Sequence, residues 1–233
     1  MKNIKYILTF IYLILIFIFL FKSVQVLEIN TFSELSFENL QNKLKEIKKN
    51  NYYLLTFYLF LFSFIWTLFL GFISPILLIS GYVLSPLHGA IVVSLANAIS
   101  GSILTAIIRN YFINDLKFFF RLKIEKIIIF LEKDINTYFF IFRLAGGFGL
   151  PSQIQNLIPS FIKMKAYNYI FISLIGCLPI YYISTSIGYS LNFISEIRSH
   201  NLNPFSNTQF LSTIAIITLI IFLIKFLKKK YKF

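Results

Sequence analysis

The sequence predicts an all-α polytopic membrane protein, built as an inverted repeat with two re-entrant helical hairpins beside transmembrane helices. Three observations lead there. First, 58% of the 233 residues are hydrophobic and the mean hydropathy is +0.77. Several apolar runs approach or exceed the ~20 residues that span a bilayer, which excludes an ordinary soluble domain. Second, Gly71-x-x-x-Pro75 and Gly147-x-x-x-Pro151 each interrupt an apolar region and precede a long apolar helix. Paired interruptions in two halves are the trace expected of inverted repeats. Third, the second interruption, RLAGGFGLPSQIQNLIPS from Arg143 to Ser160, combines an arginine, three glycines, two prolines and several amides. Such a stretch survives at membrane depth only beside protein or water, because bare backbone in hydrocarbon costs several kcal/mol per unsatisfied group.

The formal net charge is +13, but the basic residues flank apolar segments. That placement favours anionic lipid headgroups as partners over nucleic acid. A single cysteine, Cys177, excludes an intrachain disulfide, and His88 and His200 are far apart with no HExxH-like neighbour, so no zinc site and no cofactor are expected.

In chain order, Ile4 to Phe21 reads as a retained first span; a signal peptide is the alternative, but no A-x-A-like cleavage site follows. Ser36 to Asn50 reads as an amphipathic surface helix, with Phe37, Leu40, Leu44 and Ile47 stepping by three and four. Tyr52 to Leu70 is apolar and aromatic. Beyond it Gly71, Pro75, Gly81, Pro86 and Gly89 are expected to break any continuous helix. Ala90 to Ile108 follows, lined with Ser94, Ala96, Ala98, Ser100, Gly101, Ser102 and Ala106 and closed by Arg109. Small residues let backbones approach closely, so this helix should be central. Asn110 to Thr137 carries basic residues among apolar ones and reads as one or two interfacial helices. Tyr167 to Tyr189 is expected to be a helix kinked near Pro179, Leu191 to Thr208 a polar loop, and Phe210 to Leu227 a last span before a lysine-rich tail. The organisation is therefore an anchor and linker (1–35), a membrane core with both broken hairpins (36–190), and a C-terminal transmembrane helix with a basic cytoplasmic tail (191–233).

Charge sets the topology. If residues 52–86 and 138–160 each enter and return on one side, the face holding both termini collects fifteen basic residues and the other face six. If every apolar run crosses, the balance inverts to nine against twelve. The positive-inside rule selects the first arrangement, with both termini cytoplasmic. Arg143 is then left within the membrane. Hairpin tips expose unpaired backbone N–H groups that favour an anion, and a guanidinium suits phosphate oxygens in two-point contact. The candidate substrate-binding residues are Arg143 and Arg109, with Gly147, Pro151, Gln153 and Asn156 in the second interruption and Pro75 and Gly81 in the first.

Two sets of residues carry a family resemblance. The first is Pro75, Gly81, Pro86 and Gly89, followed by a small-residue helix ending in Arg109-Asn110-Tyr111. The second is Arg143, Pro151-x4-Asn156, the basic pair Lys163 and Lys165, and Ile175-Gly176-x-x-Pro179 with Gly188. In this order they resemble the DedA/SNARE-associated Golgi protein superfamily, whose shared core is the VTT domain, over about residues 36–190. The resemblance implies a lipid mover of an inner or plasma membrane: bacterial members are linked to undecaprenyl-phosphate or phospholipid translocation, eukaryotic ones to lipid scrambling. The chain departs from the pattern where Gly146 replaces the proline three residues after the family's arginine. Phe72 to Gly89 also lacks the acid of DedA members proper, and no second arginine follows Arg143. Proton coupling is therefore not expected, and the shorter, less acidic branch fits better. The expected function is translocation or scrambling of phosphate-bearing lipids, possible as an oligomer. A small-anion permease and a non-transporting scaffold are the alternatives. No serine–histidine–acid set or paired carboxylates point to an enzyme.

Overall fold

A computed structural model describes residues 51–162 and 164–200, together with Thr218. The chain divides into two units, Met1–Leu55 and Thr56–Phe233, and apart from the first turn of α1 everything below concerns the second. The expected first span, the amphipathic helix at Ser36 to Asn50, Lys163, and the last span with its lysine tail (Thr218 excepted) lie outside the described residues.

Every element among the described residues is helical. Helix α1 (Tyr52–Leu68) starts where the Asn51 side chain accepts the Leu54 N–H at 3.1 Å. Two residues past its end stands Leu70, a non-glycine residue in the left-handed region with φ 54°. The Trp66 indole covers Gly71, where a Cβ would collide with it, and donates to the Phe72 carbonyl at 2.9 Å.

The next breaks differ from expectation. Helix α2 (Ile73–Val83) runs straight through Pro75 and Gly81. Pro75 lies in the first turn, where its missing N–H would have had no helical partner anyway. The chain turns instead at Leu84–Ser85, where Ser85 accepts the His88 N–H and Pro86 opens helix α3 (Pro86–Ile107), which also contains Gly89. A π-helical turn, Ile108–Phe112, carries Arg109 and leads into α4 (Ile113–Glu132). Asp134 caps α5 (Ile135–Leu144) by accepting the Thr137 N–H at 3.3 Å.

A tight turn, Gly146–Gly149, follows, with Gly146, Gly147, Phe148 and Gly149 all at positive φ. The expected break at the glycines is there. Helix α6 (Ser152–Leu157), a 3₁₀ turn (Ile158–Ser160) and helix α7 (Ala166–His200) complete the described core. Helix α7 passes through Pro179 and across the boundary drawn at residue 190, so residues 191–200 are helix rather than polar loop. No Gly or Pro stands between Gly188 and Pro204 to stop it.

Two helices, Pro86–Phe112 and Ala166–Ser190, are long and apolar enough to cross a membrane; α1 and α2 are apolar but shorter. Helix α3 is central as expected: its small residues are buried except Ala106, and it packs on α2, α6 and α7. It runs antiparallel to α7, since Thr185 Oγ1 donates to the Pro86 carbonyl, Ser94 Oγ to Leu174, and Gly101 faces the Tyr169 hydroxyl. Glycines also make the crossing of α2 over α7: a Cβ on Gly81 would strike the Thr185 backbone, and one on Gly188 the Leu78 backbone. Helix α5 runs parallel to α7, because Asn168 bonds Asn136 at 2.9 Å, the Phe139 and Tyr169 rings lie 5.7 Å apart, and Gly176 lies beneath Arg143. The chain therefore travels out along α5 and back through α6 before α7 begins.

Candidate functional site

The parallel packing of α5 on α7 decides where Arg143 goes. Gly176 has no side chain, and a Cβ there would fall 2.8 Å from Arg143 Cβ. The arginine stem can therefore lie directly on the α7 backbone and aim its head into the bundle. Gly176 is ~15 Å along α7, and the apolar stretch Ala166–Ser190 is ~37 Å long at 1.5 Å per residue, so Arg143 sits near its middle.

Arg143 is 1% exposed and is the one charged side chain that is buried among the described residues. All its hydrogen-bond partners are neutral. Nη2 donates to Asn156 Oδ1 at 2.7 Å and to the Tyr169 hydroxyl at 2.9 Å, and Nη1 donates weakly to Gln155 Oε1 at 3.4 Å. The guanidinium lies 5.0 Å from the Phe139 ring centroid and 5.5 Å from that of Tyr169, which adds cation–π attraction. No carboxylate is buried among the described residues. Removing a charge from water without a counter-charge costs several kcal/mol even after relaxation, so the polar shell compensates only in part.

That shell comes from three further elements. From α6, Asn156 Nδ2 reaches Asn97 Oδ1 on α3 at 2.9 Å, while Gln155 Nε2 donates to the carbonyls of Gly146 and Leu150 and so ties down the glycine turn. From α7 comes a stripe at four-residue spacing: Tyr169, Ser173, Cys177, Tyr181 and Thr185 are all buried, as expected of residues on one helical face. Within this cluster, Arg143 Nε and Asn97 Nδ2 are buried and have no hydrogen-bond partner among the described residues. Buried polar groups are almost always paired, so these orphans around an uncompensated cation mark a site with unused donor capacity.

The other sequence-predicted residues fall in three places. Gly147 is buried against Gln155, Asn156 is the hub of the network, and Gln153 is half-buried on α6 with Nε2 unpartnered. Pro151 is exposed at the start of α6. Pro75 is exposed and Gly81 packs on Thr185, so neither joins the Arg143 cluster.

Arg109 does not join it either. It follows the whole apolar length of α3, ~18 Å beyond Asn97, and donates to the carbonyls of Pro159, Ile162 and Met164 at 2.6–3.2 Å. The sequence reading left Asn97, Gln155, Tyr169 and the α7 stripe out of the site. The period-four spacing of Tyr169, Ser173, Cys177 and Tyr181 within an apolar run was the available signal.

Among the described residues, fold and site define an all-α arrangement whose apolar helices enclose a polar seam around the buried Arg143. The chain matches no family model, no curated protein and no solved structure.

Proposed function

We propose that this chain is an integral membrane protein of the DedA/VTT type that translocates or scrambles phosphate-bearing lipids, phospholipid or polyprenyl phosphate, across an inner or plasma membrane. The observation that carries this reading is Arg143: a guanidinium near the middle of an apolar helix pair, surrounded by neutral partners and unpaired donors. Intramembrane charge is costly and marks substrate pathways. A phosphate passing this point would supply the missing counter-charge.

The out-and-back course of α5 and α6 supports a re-entrant second hairpin, and α1 with α2 forms the first. Both interruptions place a left-handed residue before a helix start, Leu70 (φ 54°) and Gly147 (φ 68°), which supports an inverted repeat. The glycine turn, held to Gln155 by two hydrogen bonds, is the segment whose opening would admit a headgroup.

The test is lipid transfer per folded molecule in liposomes, with thermal stability measured on the same samples. Arg143→Lys keeps the charge but loses the planar fork and should transfer substantially more slowly; Arg143→Ala should abolish transfer while the protein still folds. Unchanged transfer by folded Arg143→Ala would sink the proposal and favour a scaffold. Loss of anion uptake with no lipid transfer in either protein would favour a permease.

A further inference from the structure

Where α3 ends and α7 begins, the surface opens into a cavity of about 380 Å³ lined by Arg109, Phe161, Ile162, Met164, Lys165 and Ala166. It lies at the ends of the two helices long enough to cross a membrane, and so at the level where hydrocarbon gives way to headgroups. It is also ~15 Å from the Arg143 centre along the bundle.

Its chemistry is that of an amphiphilic anion site. Arg109 is half-buried and spends three N–H groups on the carbonyls of Pro159, Ile162 and Met164. A guanidinium carries five, so two have no acceptor among the described residues. Those three bonds also fix the guanidinium in place, which spares a ligand the cost of ordering it. Lys165 is exposed, with Nζ 6.0 Å from the Tyr167 ring centroid. Half-buried Phe161 and exposed Ala166 supply an apolar wall beside the two cations, backed by the buried Ile162 and Met164, and no acidic residue lines the cavity among the described residues. A free inorganic anion has no use for that wall. A lipid whose phosphate sits between Arg109 and Lys165 buries its first methylenes against it.

We infer that this cavity is a docking site for the phosphate group of a membrane lipid, at the headgroup level of the face that carries Arg109 and Lys165. The inference requires that the chain sit in a membrane, and not that lipid crosses it.

The test uses the full chain in phosphatidylcholine nanodiscs and the binding of a fluorescent short-chain phosphatidic acid. Arg109→Ala is avoided because it also releases three backbone carbonyls. Lys165→Glu should weaken binding about tenfold by reversing an exposed charge beside the phosphate, and Lys165→Arg should retain it. Ala166→Trp should weaken it by filling the cavity from an exposed position. The assay reads binding and needs no transfer across the bilayer, so failure of the translocation reading leaves its outcome unchanged. Unchanged affinity in both Lys165→Glu and Ala166→Trp would overturn the inference. Displacement of the probe by inorganic phosphate as readily as by unlabelled lipid would overturn its lipid source.

Discussion

Arg143 Nη2 lies 2.7 Å from Asn156 Oδ1, and Asn156 Nδ2 lies 2.9 Å from Asn97 Oδ1, so a single amide couples the buried charge on α5 to α3. Asn97 Nδ2 is left without a partner among the described residues. Asn156→Asp would place a carboxylate against the guanidinium, and rotation of the Asn97 amide would then let Nδ2 donate to it. Hydrogen bonds to charged groups contribute about 1.5–3 kcal/mol, so this variant should melt several degrees higher than wild type. On the proposed reading, in which Arg143 takes a substrate phosphate, the same carboxylate occupies that charge and lipid transfer should be lost. A stabilised variant that still transfers lipid at the wild-type rate would show that Arg143 serves only the fold.

The second interruption was legible in the sequence because its local chemistry is unambiguous. Three glycines, a proline and clustered amides cannot continue an apolar helix, and Arg143 among them had to be buried or solvated. The first interruption was misplaced because Pro75 and Gly81 are breakers only in some contexts. Pro75 falls in a first turn, where proline is tolerated, and Gly81 is explained by the Thr185 backbone of a helix more than a hundred residues away. Asn97 and Tyr169 were missed for the same reason, since each acquires its role from partners distant in the chain.

The glycine crossing makes its own prediction. A Cβ on Gly81 would overlap the Thr185 carbonyl, and one on Gly188 the Leu78 carbonyl. Backbone cannot rotate away as a flexible side chain can, so α2 and α7 must separate. Gly81→Ala and Gly188→Ala should each destabilise by about 1–3 kcal/mol, and Pro75→Leu, at an exposed first-turn position, by much less. Thermal denaturation of the three variants ranks them directly; equal melting temperatures would remove the close-contact argument.

Gly147 combines a φ of 68° with a position hard against the Gln155 side chain. Gly147→Ala pays for left-handed backbone and also pushes Gln155 away from the Gly146 and Leu150 carbonyls, for about 1–3 kcal/mol in all. Protease cleavage within the turn should accelerate accordingly. If cleavage and melting stay at wild-type values, Gln155 is not the latch of the turn.

Asp134 supplies the pH-dependent element at the surface. Hydrogen bonds from the Thr137 side chain and amide hold its carboxyl below the usual carboxylate range. A folded pKa below the unfolded one means that the charged cap stabilises above the unfolded pKa and is lost as pH falls through the folded one. Asp134→Ala should therefore melt below wild type at neutral pH, with the gap narrowing below about pH 4. A gap that stays constant into acid would assign the cap no role for the charge.

The arrangement of basic residues predicts which ends of the helices face the cytoplasm. Lys133 is exposed in the turn before α5, and the parallel packing of α5 on α7 places that turn at the Lys165 end of the bundle. Leu87 is 60% exposed at the start of α3, and the antiparallel packing of α3 on α7 places it at the opposite end. Cys177 is buried, so Cys177→Ser provides a background without a reactive thiol and with little change in volume. In intact cells, Lys133→Cys should resist an impermeant maleimide and Leu87→Cys should react; after permeabilisation both should react. Labelling of Lys133→Cys alone would invert the orientation while preserving the two-ended bundle. Equal labelling of both from outside would place the two ends of α3 on one side of the membrane, which no arrangement with a spanning α3 permits.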